Sequence, residues 1–197
     1  MTSALELGPV TRMPPAGRYG PQTNPGITVE MSDPPGLATL AARRGQMAEL
    51  VAATRQAFGL DLVDGPQVSR SEGMSAVGTG PGRWFVLGDA PGDMSRRLAP
   101  LAAYAAITEQ TDGYVAFALA GPRVDELLAK GVTIDLHPSA FPPGRAATTN
   151  VAHINLTLWR EAPDRHVLLV GRSHAVGFAR FLIASGAEYG LSFARRG

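Results

Sequence analysis

The chain has no cysteine, a single lysine and no long apolar run. The missing cysteines exclude disulfides, thiolate metal sites and a cysteine nucleophile, and they fit a reducing compartment. No window approaches the roughly 18 apolar residues of a membrane span, and no basic start leads into an apolar segment. We therefore expect a protein of the cytoplasm.

Charges of the two signs are balanced and dispersed. The 197 residues include 18 basic and 17 acidic side chains, a net charge of +1. Such a balance without a basic cluster is not typical of a nucleic-acid-binding surface. The four histidines, His137, His153, His166 and His174, lack the spacing of metal ligands, so we expect no metal site.

The first 26 residues are rich in proline and glycine and poor in apolar side chains. Such a segment cannot bury enough surface to offset the entropy of ordering it, which predicts a flexible N-terminal arm over residues 1–26. Folding signals begin at Ile27. They predict one domain over residues 27–191, built from two pseudo-repeated halves at about 27–111 and 112–191.

Hydrophobic periodicity predicts both strands and helices in this domain. Hairpins are expected from 27–31 with 37–42, and from 107–111 with 114–120 around the turn signal Asp112-Gly113. Helices are expected at about 45–58, 94–103, 122–130 and 174–185, and further strands at 74–78, 84–87, 151–159, 166–170 and, at a sheet edge, 187–191. Three strands end in a glycine that precedes a helix, at Gly88, Gly121 and Gly171. This order predicts an α+β fold of two intertwined split βαβ, ferredoxin-like units on antiparallel sheet.

The last predicted helix is apolar on almost every face, with Val176, Phe178, Phe181 and Leu182 among its residues. A helix that is apolar all round needs cover on more than one side. We therefore expect part of it to contact another chain.

A proline-rich segment, residues 134–145, follows the third predicted helix and is called the proline loop below. Its three prolines each remove an amide donor, so it cannot be a regular helix or strand. Its apolar residues indicate a defined shape that packs on a partner or on its own core, and the residues alone leave both open. Arg145 could hold a carboxylate or phosphate, Asp135 of the same loop being one candidate, or these side chains could only brace the loop. The candidate binding or interface residues are Asp135, His137, Phe141 and Arg145.

The glycine-rich stretch 78–82 invites comparison with a phosphate loop. A phosphate loop leads into a helix N-terminus, whereas a predicted strand at 84–87 follows this stretch. We therefore predict a turn here and no cofactor bound by this chain. No acidic pair or Ser–His arrangement indicates a catalytic residue.

The proline loop and its flanks resemble a known family. Lys130-Gly131, Asp135-Leu136-His137-Pro138, Phe141-x-Pro143-Gly144-Arg145 and Leu158-Trp159-Arg160 follow one another in an order similar to the gamma subunit of heterotetrameric sarcosine oxidase. At lower specificity the resemblance extends over most of residues 27–185. It implies an architecture like that of the tetrahydrofolate-binding domain of aminomethyltransferases.

The same resemblance implies a non-catalytic subunit of a flavin amine oxidase complex that demethylates sarcosine to glycine. Such a chain would assemble with alpha, beta and delta subunits, and FAD, FMN, NAD and tetrahydrofolate would belong to the complex rather than to this chain. An equivalent subunit of another N-methyl amino acid oxidising complex would look the same.

Two other classes stay open. One is a free-standing folate-binding protein of the aminomethyltransferase type, although this chain has no room for that family's C-terminal domain. The related folate protein of iron–sulfur repair carries Lys-Gly-Cys where this chain has Lys130-Gly131-Val132. The other class is a soluble interaction module.

Overall fold

A computed structural model of the chain describes residues 11–21 and 24–196. They form two units. Unit 1 takes the described residues up to Asp33, Val115–Pro143, and those from Thr149 onward. Unit 2 takes Pro34–Tyr114 and Gly144–Thr148. The boundary after Tyr114 lies close to the predicted division into halves at 27–111 and 112–191. The units are nevertheless interleaved along the chain, because the described residues up to Asp33 belong to unit 1 and Gly144–Thr148 belong to unit 2.

Unit 1 is built on a seven-stranded sheet. Its strands are β1 (Gly17–Tyr19), β2 (Ile27–Ser32), β8 (Tyr114–Ala120), β9 (Ala146–Val151), β10 (Ile154–Ala162), β11 (Arg165–Gly171) and β12 (Leu191–Arg195). They lie in the order β1-β12-β2-β8-β11-β10-β9, and β12 runs parallel to β2. The helices are α3 (Val124–Ala129) and α4 (Ala175–Gly186). The ring of Phe178 on α4 packs edge-on against Phe117 of β8 at 5.1 Å, because both face the apolar interior.

Unit 2 is built on a five-stranded antiparallel sheet. Its strands are β3 (Gly36–Ala42), β4 (Val68–Ser71), β5 (Met74–Gly80), β6 (Arg83–Gly88) and β7 (Ala105–Glu109), in the order β4-β5-β6-β3-β7. Its helices are α1 (Met47–Phe58) and α2 (Met94–Arg97). Trp84 is buried in the core of this unit, and its indole nitrogen donates to the carbonyl of Val63 at 2.9 Å. Helix α1 ends at Gly59, which adopts the left-handed conformation with φ 61°.

These elements confirm the predicted α+β class. The three glycines that follow strands, Gly88, Gly121 and Gly171, each lead into a helix as expected. Strand β11 is an inner strand between β8 and β10, which agrees with its continuous apolar run. No helix among the described residues is long and apolar enough to cross a membrane.

Both hairpins predicted at 27–42 and 107–120 are wrong. Strand β2 belongs to the seven-stranded sheet and β3 to the five-stranded one, and β8 and β7 are separated in the same way. Asp112 and Gly113 lie in a 3-10 turn that starts at Thr111. The hydroxyl of Thr111 accepts a hydrogen bond from the backbone nitrogen of Leu37 at 2.8 Å. The turn signal therefore marks the place where the chain leaves one sheet for the other.

Three other segments differ from the periodic patterns. Ala152 and His153 have φ of 49° and 67°, so a tight turn divides the single strand predicted at 151–159 into β9 and β10. The helix predicted at 94–103 stops at Arg97 because Pro100 cannot donate an i→i−4 hydrogen bond. The edge strand predicted at 187–191 is replaced by a 3-10 turn, and β12 begins only at Leu191.

The N-terminal segment is also more structured than expected. Strand β1 pairs with β12, so β12 is not an edge strand. Tyr19 is buried, and its hydroxyl donates to the carbonyl of Pro15 at 2.6 Å. Three residues of the predicted flexible arm 1–26 thus form a strand, and residues 1–10, 22 and 23 lie outside the described part of the chain. The flexibility of the arm stays a prediction.

Most of the apolar surface of helix α4 is buried within its own chain. Its buried apolar residues are Ala175, Phe178, Ala179, Leu182 and Ile183. Phe181 is half-buried and lies so close to Gly131 that a Cβ there would be 2.7 Å from its ring. Only Val176, Phe181 and Ala184 of the predicted apolar set are not fully buried. Contact of α4 with another chain stays a prediction, now confined to these three positions.

The turn region of unit 2 provides a test of its packing. A Cβ on Gly78 would lie 1.8 Å from the carbonyl oxygen of Gly65, whereas Gly80, two residues later, has no heavy atom within 4 Å. We expect Gly78→Ala to lower the free energy of unfolding by about 1–3 kcal/mol through overpacking. Thermal unfolding followed by circular dichroism should show a fall of roughly 2–4 °C per kcal/mol. Gly80→Ala is the matched control and should leave the midpoint unchanged. Equal midpoints for the two variants would contradict the close approach.

Candidate functional site

The proline loop has a defined shape set by its own turns. The Asp135 carboxylate accepts a hydrogen bond from the backbone nitrogen of His137 at 2.8 Å. The His137 ring nitrogen Nδ1 lies 2.8 Å from the Ser139 hydroxyl. The carbonyl of His137 accepts from the backbone nitrogens of Ala140 and Phe141 at 2.8 and 2.9 Å. These bonds satisfy a backbone that prolines exclude from a sheet or helix.

Two apolar side chains fasten the loop to the interior of unit 1. Leu136 and Phe141 are buried, whereas His137 and Pro138 between them are exposed. The ring of Phe141 stacks parallel to the imidazole of His166, with centroids 6.4 Å apart and planes within 7°. The loop therefore packs on its own core and also presents an exposed outer face.

The polar anchor of the loop is Arg160 on β10, whose side chain is fully buried. Its Nη2 donates to the carbonyl of Leu136 at 2.6 Å and to Oδ2 of Asp125 at 2.9 Å, and its Nη1 donates to the carbonyl of Pro163. The partners come from the proline loop, α3 and the β10–β11 turn. One guanidinium thus holds three separate segments together.

His166 on β11 completes this buried cluster. Its Nε2 lies 3.4 Å from Oδ1 of Asp125, and neither of its ring nitrogens has a hydrogen-bond partner. Burial, followed by the positive charge of Arg160, lowers the pKa of His166 to about 4, although Asp125 acts in the opposite direction. The imidazole is therefore neutral at pH 7, and the positive charge of the cluster belongs to Arg160.

A cleft of about 430 Å³ opens between α3 and the proline loop. Its apolar lining consists of Ala129, Val132, Ile134, Leu136 and Pro138. Its polar lining consists of Asp125, Glu126, Asp135 and His137. The cleft is thus apolar along its walls and acidic at three positions.

The four site residues expected from the sequence take different places. Asp135 and His137 line the cleft, and Phe141 lies in the interior of unit 1 against His166. Arg145 belongs to unit 2, where it is half-buried and its backbone pairs with Gln67. Among the described residues, the guanidinium of Arg145 has no hydrogen-bond or ion-pair partner. The roles of these four residues in binding stay predictions.

Sequence reasoning missed the three residues of the buried cluster. In the sequence Asp125 is explained by its place in the first turn of helix α3, where an acidic residue is common. Leu156 and Leu158 alternate onto a buried face of β10, and one more step of this alternation places Arg160 there as well. A buried arginine needs paired acceptors, which is the signal that could have indicated this cluster.

A second cleft, of about 400 Å³, lies in unit 2 beside the glycine-rich stretch 78–82. Gly78, Thr79 and Gly80 line it, and β5 and β6 on either side form an antiparallel pair. The predicted turn is confined to Pro81 and Gly82, because Gly78, Thr79 and Gly80 belong to β5. Gly78 is needed for the backbone of Gly65 rather than for a ligand, because the two are in close approach. No group of three histidine or acidic side chains in the described part of the chain could hold a metal ion.

Residues 44–188 match the sarcosine oxidase, gamma subunit family. This chain belongs to that family. The matched range contains α3, the proline loop, β10 and β11, and therefore the whole buried cluster and the cleft. No curated protein matches the sequence.

Solved structures agree with this family at the level of the fold. A chain of the heterotetrameric sarcosine oxidase from Corynebacterium sp. U-96, in complex with pyrrole 2-carboxylate, matches with a TM-score of 0.72 and 23% identity, over 83% of this chain and 85% of that one. The glycine cleavage system aminomethyltransferase T from Bartonella henselae matches with a TM-score of 0.60 and 11% identity, over 87% of this chain and 48% of that one. The gamma-subunit family member described here therefore has an aminomethyltransferase-like fold.

Asp125 belongs to a buried ion pair and its neighbour Glu126 to an exposed one, so we expect removal of the two carboxylates to lower the free energy of unfolding by different amounts. Asp125→Ala should leave the charge of Arg160 without its carboxylate in the interior and lower the free energy of unfolding by about 3 kcal/mol. Glu126→Ala, the next residue in the same helical turn, removes only an exposed pair with Arg123 and should cost less than about 1 kcal/mol. Urea unfolding of both variants measures the difference. Similar losses would show that Arg160 does not depend on Asp125.

The neutral state of His166 predicts a pH dependence of stability. The unfolded state, with a histidine pKa of about 6.5, binds more protons than the folded state between that pH and about 4. Stability should therefore fall by up to about 3 kcal/mol as the pH is lowered through this window. His166→Phe keeps a ring against Phe141 but cannot titrate, so its urea midpoint should change less with pH than that of the wild type. If the urea midpoints of the variant and the wild type change with pH in parallel, the titration of His166 is not the cause of the pH dependence.

Proposed function

We propose that this chain is the gamma subunit of a heterotetrameric sarcosine oxidase and that it contributes to assembly rather than to catalysis. The family match over residues 44–188 carries this proposal. The likeness to a chain of a heterotetrameric sarcosine oxidase, over most of both chains, supports it. The complex would demethylate sarcosine oxidatively to glycine, form hydrogen peroxide and act in the cytoplasm.

The geometry of the buried cluster supports a non-catalytic role. A catalytic acid or base must come within hydrogen-bond reach of its substrate. Arg160 and His166 are fully buried, and the hydrogen-bond donors of Arg160 that have partners are directed to Asp125 and to two backbone carbonyls. The ion pair of Arg160 and Asp125 thus holds the proline loop against α3.

The charge of the cleft supports placing the cofactors in partner chains. FAD, FMN and NAD carry phosphates, and tetrahydrofolate carries carboxylates. The carboxylate of Asp135 has no paired cation among the described residues and would repel such groups, and the described lining has no lysine or arginine to hold them. We propose that these cofactors belong to the alpha, beta and delta subunits of the complex.

The fold match to the aminomethyltransferase favours one second candidate, a free-standing folate-binding protein. The present chain corresponds to 48% of that enzyme. A fluorescence titration of the isolated chain with tetrahydrofolate separates the two functions, because the gamma-subunit proposal expects no saturable binding to this chain alone. An equivalent subunit of another N-methyl amino acid oxidising complex is distinguished by the substrate that the assembled complex oxidises.

The central experiment compares the chain alone with the chain in its complex. The purified chain should be colourless between the ultraviolet and the blue and should take up no oxygen with sarcosine, because flavin placement against the substrate is the task of other chains. Coexpressed with the alpha, beta and delta subunits, it should enter a stable complex that contains flavin and oxidises sarcosine. The matched control is the same coexpression without this chain.

Two results would overturn the assignment. Bound flavin or turnover by the isolated chain would make it a catalyst. Failure of the wild-type chain to join the other subunits in native mass measurements would remove it from the complex.

A further inference from the structure

The cleft between α3 and the proline loop has an unusual balance of charge. Asp125 is paired with Arg160, and Glu126 is paired with Arg123. Asp135 accepts a hydrogen bond only from a backbone nitrogen, and among the described residues no cation pairs with it. The described residues that line the cleft include no lysine or arginine. Asp135 is therefore the one acidic residue of the described lining whose charge has no compensating positive group among the described residues.

The charge of the cleft lining determines which class of ligand fits the cleft. An amino acid, a folate or a nucleotide would bring a carboxylate or phosphate that needs a cation, and no lysine or arginine of the lining supplies one. A cation on an aliphatic stem fits both properties of the cleft. Its methylene groups would lie along Ala129, Val132 and Ile134, and its charged end would reach Asp135.

The wall that carries Asp135 is held in place before any partner arrives. The carbonyl of Leu136, the next residue, accepts from the fully buried Arg160, and Phe141 stacks on His166. A preformed wall reduces the entropy lost on binding, which favours a specific contact over a loop that must first be ordered. The volume of about 430 Å³ is also large enough for a specific anchor.

We propose that this cleft receives an arginine or lysine side chain from another subunit of the complex, with its stem on the apolar wall and its charged end at the carboxylate of Asp135. The inference rests on the proposed function, because the partner it names is a subunit of that complex. It adds the chemistry of the contact: one basic anchor residue entering an apolar cleft with an acidic end.

The test removes the charge while keeping the loop. Asp135→Asn retains the side-chain oxygen that accepts from the backbone nitrogen of His137, so the turn is preserved. Glu72→Gln is the matched control, since Glu72 is an exposed carboxylate in the β4–β5 turn of unit 2. Both variants are made in the coexpressed complex, and dissociation of this chain is measured at several salt concentrations. We expect Asp135→Asn to raise the dissociation constant about fivefold at low salt and to make its salt dependence shallower. Glu72→Gln should behave as the wild type.

A second variant tests the shape of the cleft independently of its charge. Ala129 is exposed on α3 and lines the cleft, so Ala129→Trp should fill the space and raise the dissociation constant by about tenfold or more. Circular dichroism of the isolated variant checks that it is folded, and a variant that unfolds is replaced by Ala129→Leu.

The outcomes separate this inference from the proposed function. A wild-type complex that forms, with both variants retained as tightly as the wild type, overturns the inference and leaves the proposed function standing. Loss of binding in Ala129→Trp with no effect in Asp135→Asn overturns the basic anchor. If the isolated wild-type chain forms a dimer that either variant dissociates, the cleft binds a second copy of this chain. That result also overturns the inference. If the wild-type chain joins no complex, the proposed function itself fails.

Discussion

The structure of unit 1 depends on one buried guanidinium. Removing an ion of this kind from water costs several kcal/mol even after the protein relaxes, so Arg160 can be buried only where acceptors surround it. Asp125 supplies the opposite charge, and the carbonyls of Leu136 and Pro163 accept further hydrogen bonds. Because these acceptors come from α3, the proline loop and the β10–β11 turn, Nη1 and Nη2 of the guanidinium reach all three acceptors only when all three segments are in place. Apolar residues of the same volume often stabilise a core equally well. We therefore infer that the cluster contributes mainly by selecting one arrangement of the three segments.

The state of His166 follows from the same constraint. A second positive charge beside Arg160 in a buried site would be repelled and poorly solvated, which is why the pKa of His166 is lowered to about 4. As a neutral ring it packs like an aromatic side chain, parallel to Phe141. The proline loop is therefore attached twice, once through the backbone at Leu136 and once through a ring at Phe141. Both attachments use the interior of unit 1 and leave the outer face of the loop free to meet other molecules.

This arrangement connects the fold to the proposed role in a complex. A loop that lacks secondary structure loses conformational entropy when it binds, unless its own chain has already ordered it. The buried cluster orders it in advance and forms one wall of a cleft with α3. Asp135 and His137 are on this outer surface, and Arg145 offers a guanidinium in unit 2 that has no partner among the described residues. Arg160 and Asp125 thus hold the interior of unit 1 together, whereas a role of Asp135, His137 and Arg145 in recognition stays a prediction.

The candidate site could be predicted from the sequence only in part. The prolines indicated a shaped loop, and Asp135 and His137 do lie on a cleft. The cluster beneath could have been suspected from Arg160 alone, since the alternation of β10 puts it on the buried face. Its partners could not have been found this way, because Asp125 and Leu136 lie 35 and 24 residues away in the chain.

The sequence by itself determined most of the local elements and the class of the fold. The end of α1 at Gly59, the inner position of β11 and the three glycines between strands and helices follow from short-range geometry and hydrophobic periodicity. Tertiary structure alone decided which strands are neighbours. Asp112-Gly113 is a strong local signal for a hairpin, yet β7 and β8 belong to different sheets. The physical reason is that a turn signal specifies only the direction of a few residues, whereas strand pairing depends on the burial and hydrogen bonding of the whole chain.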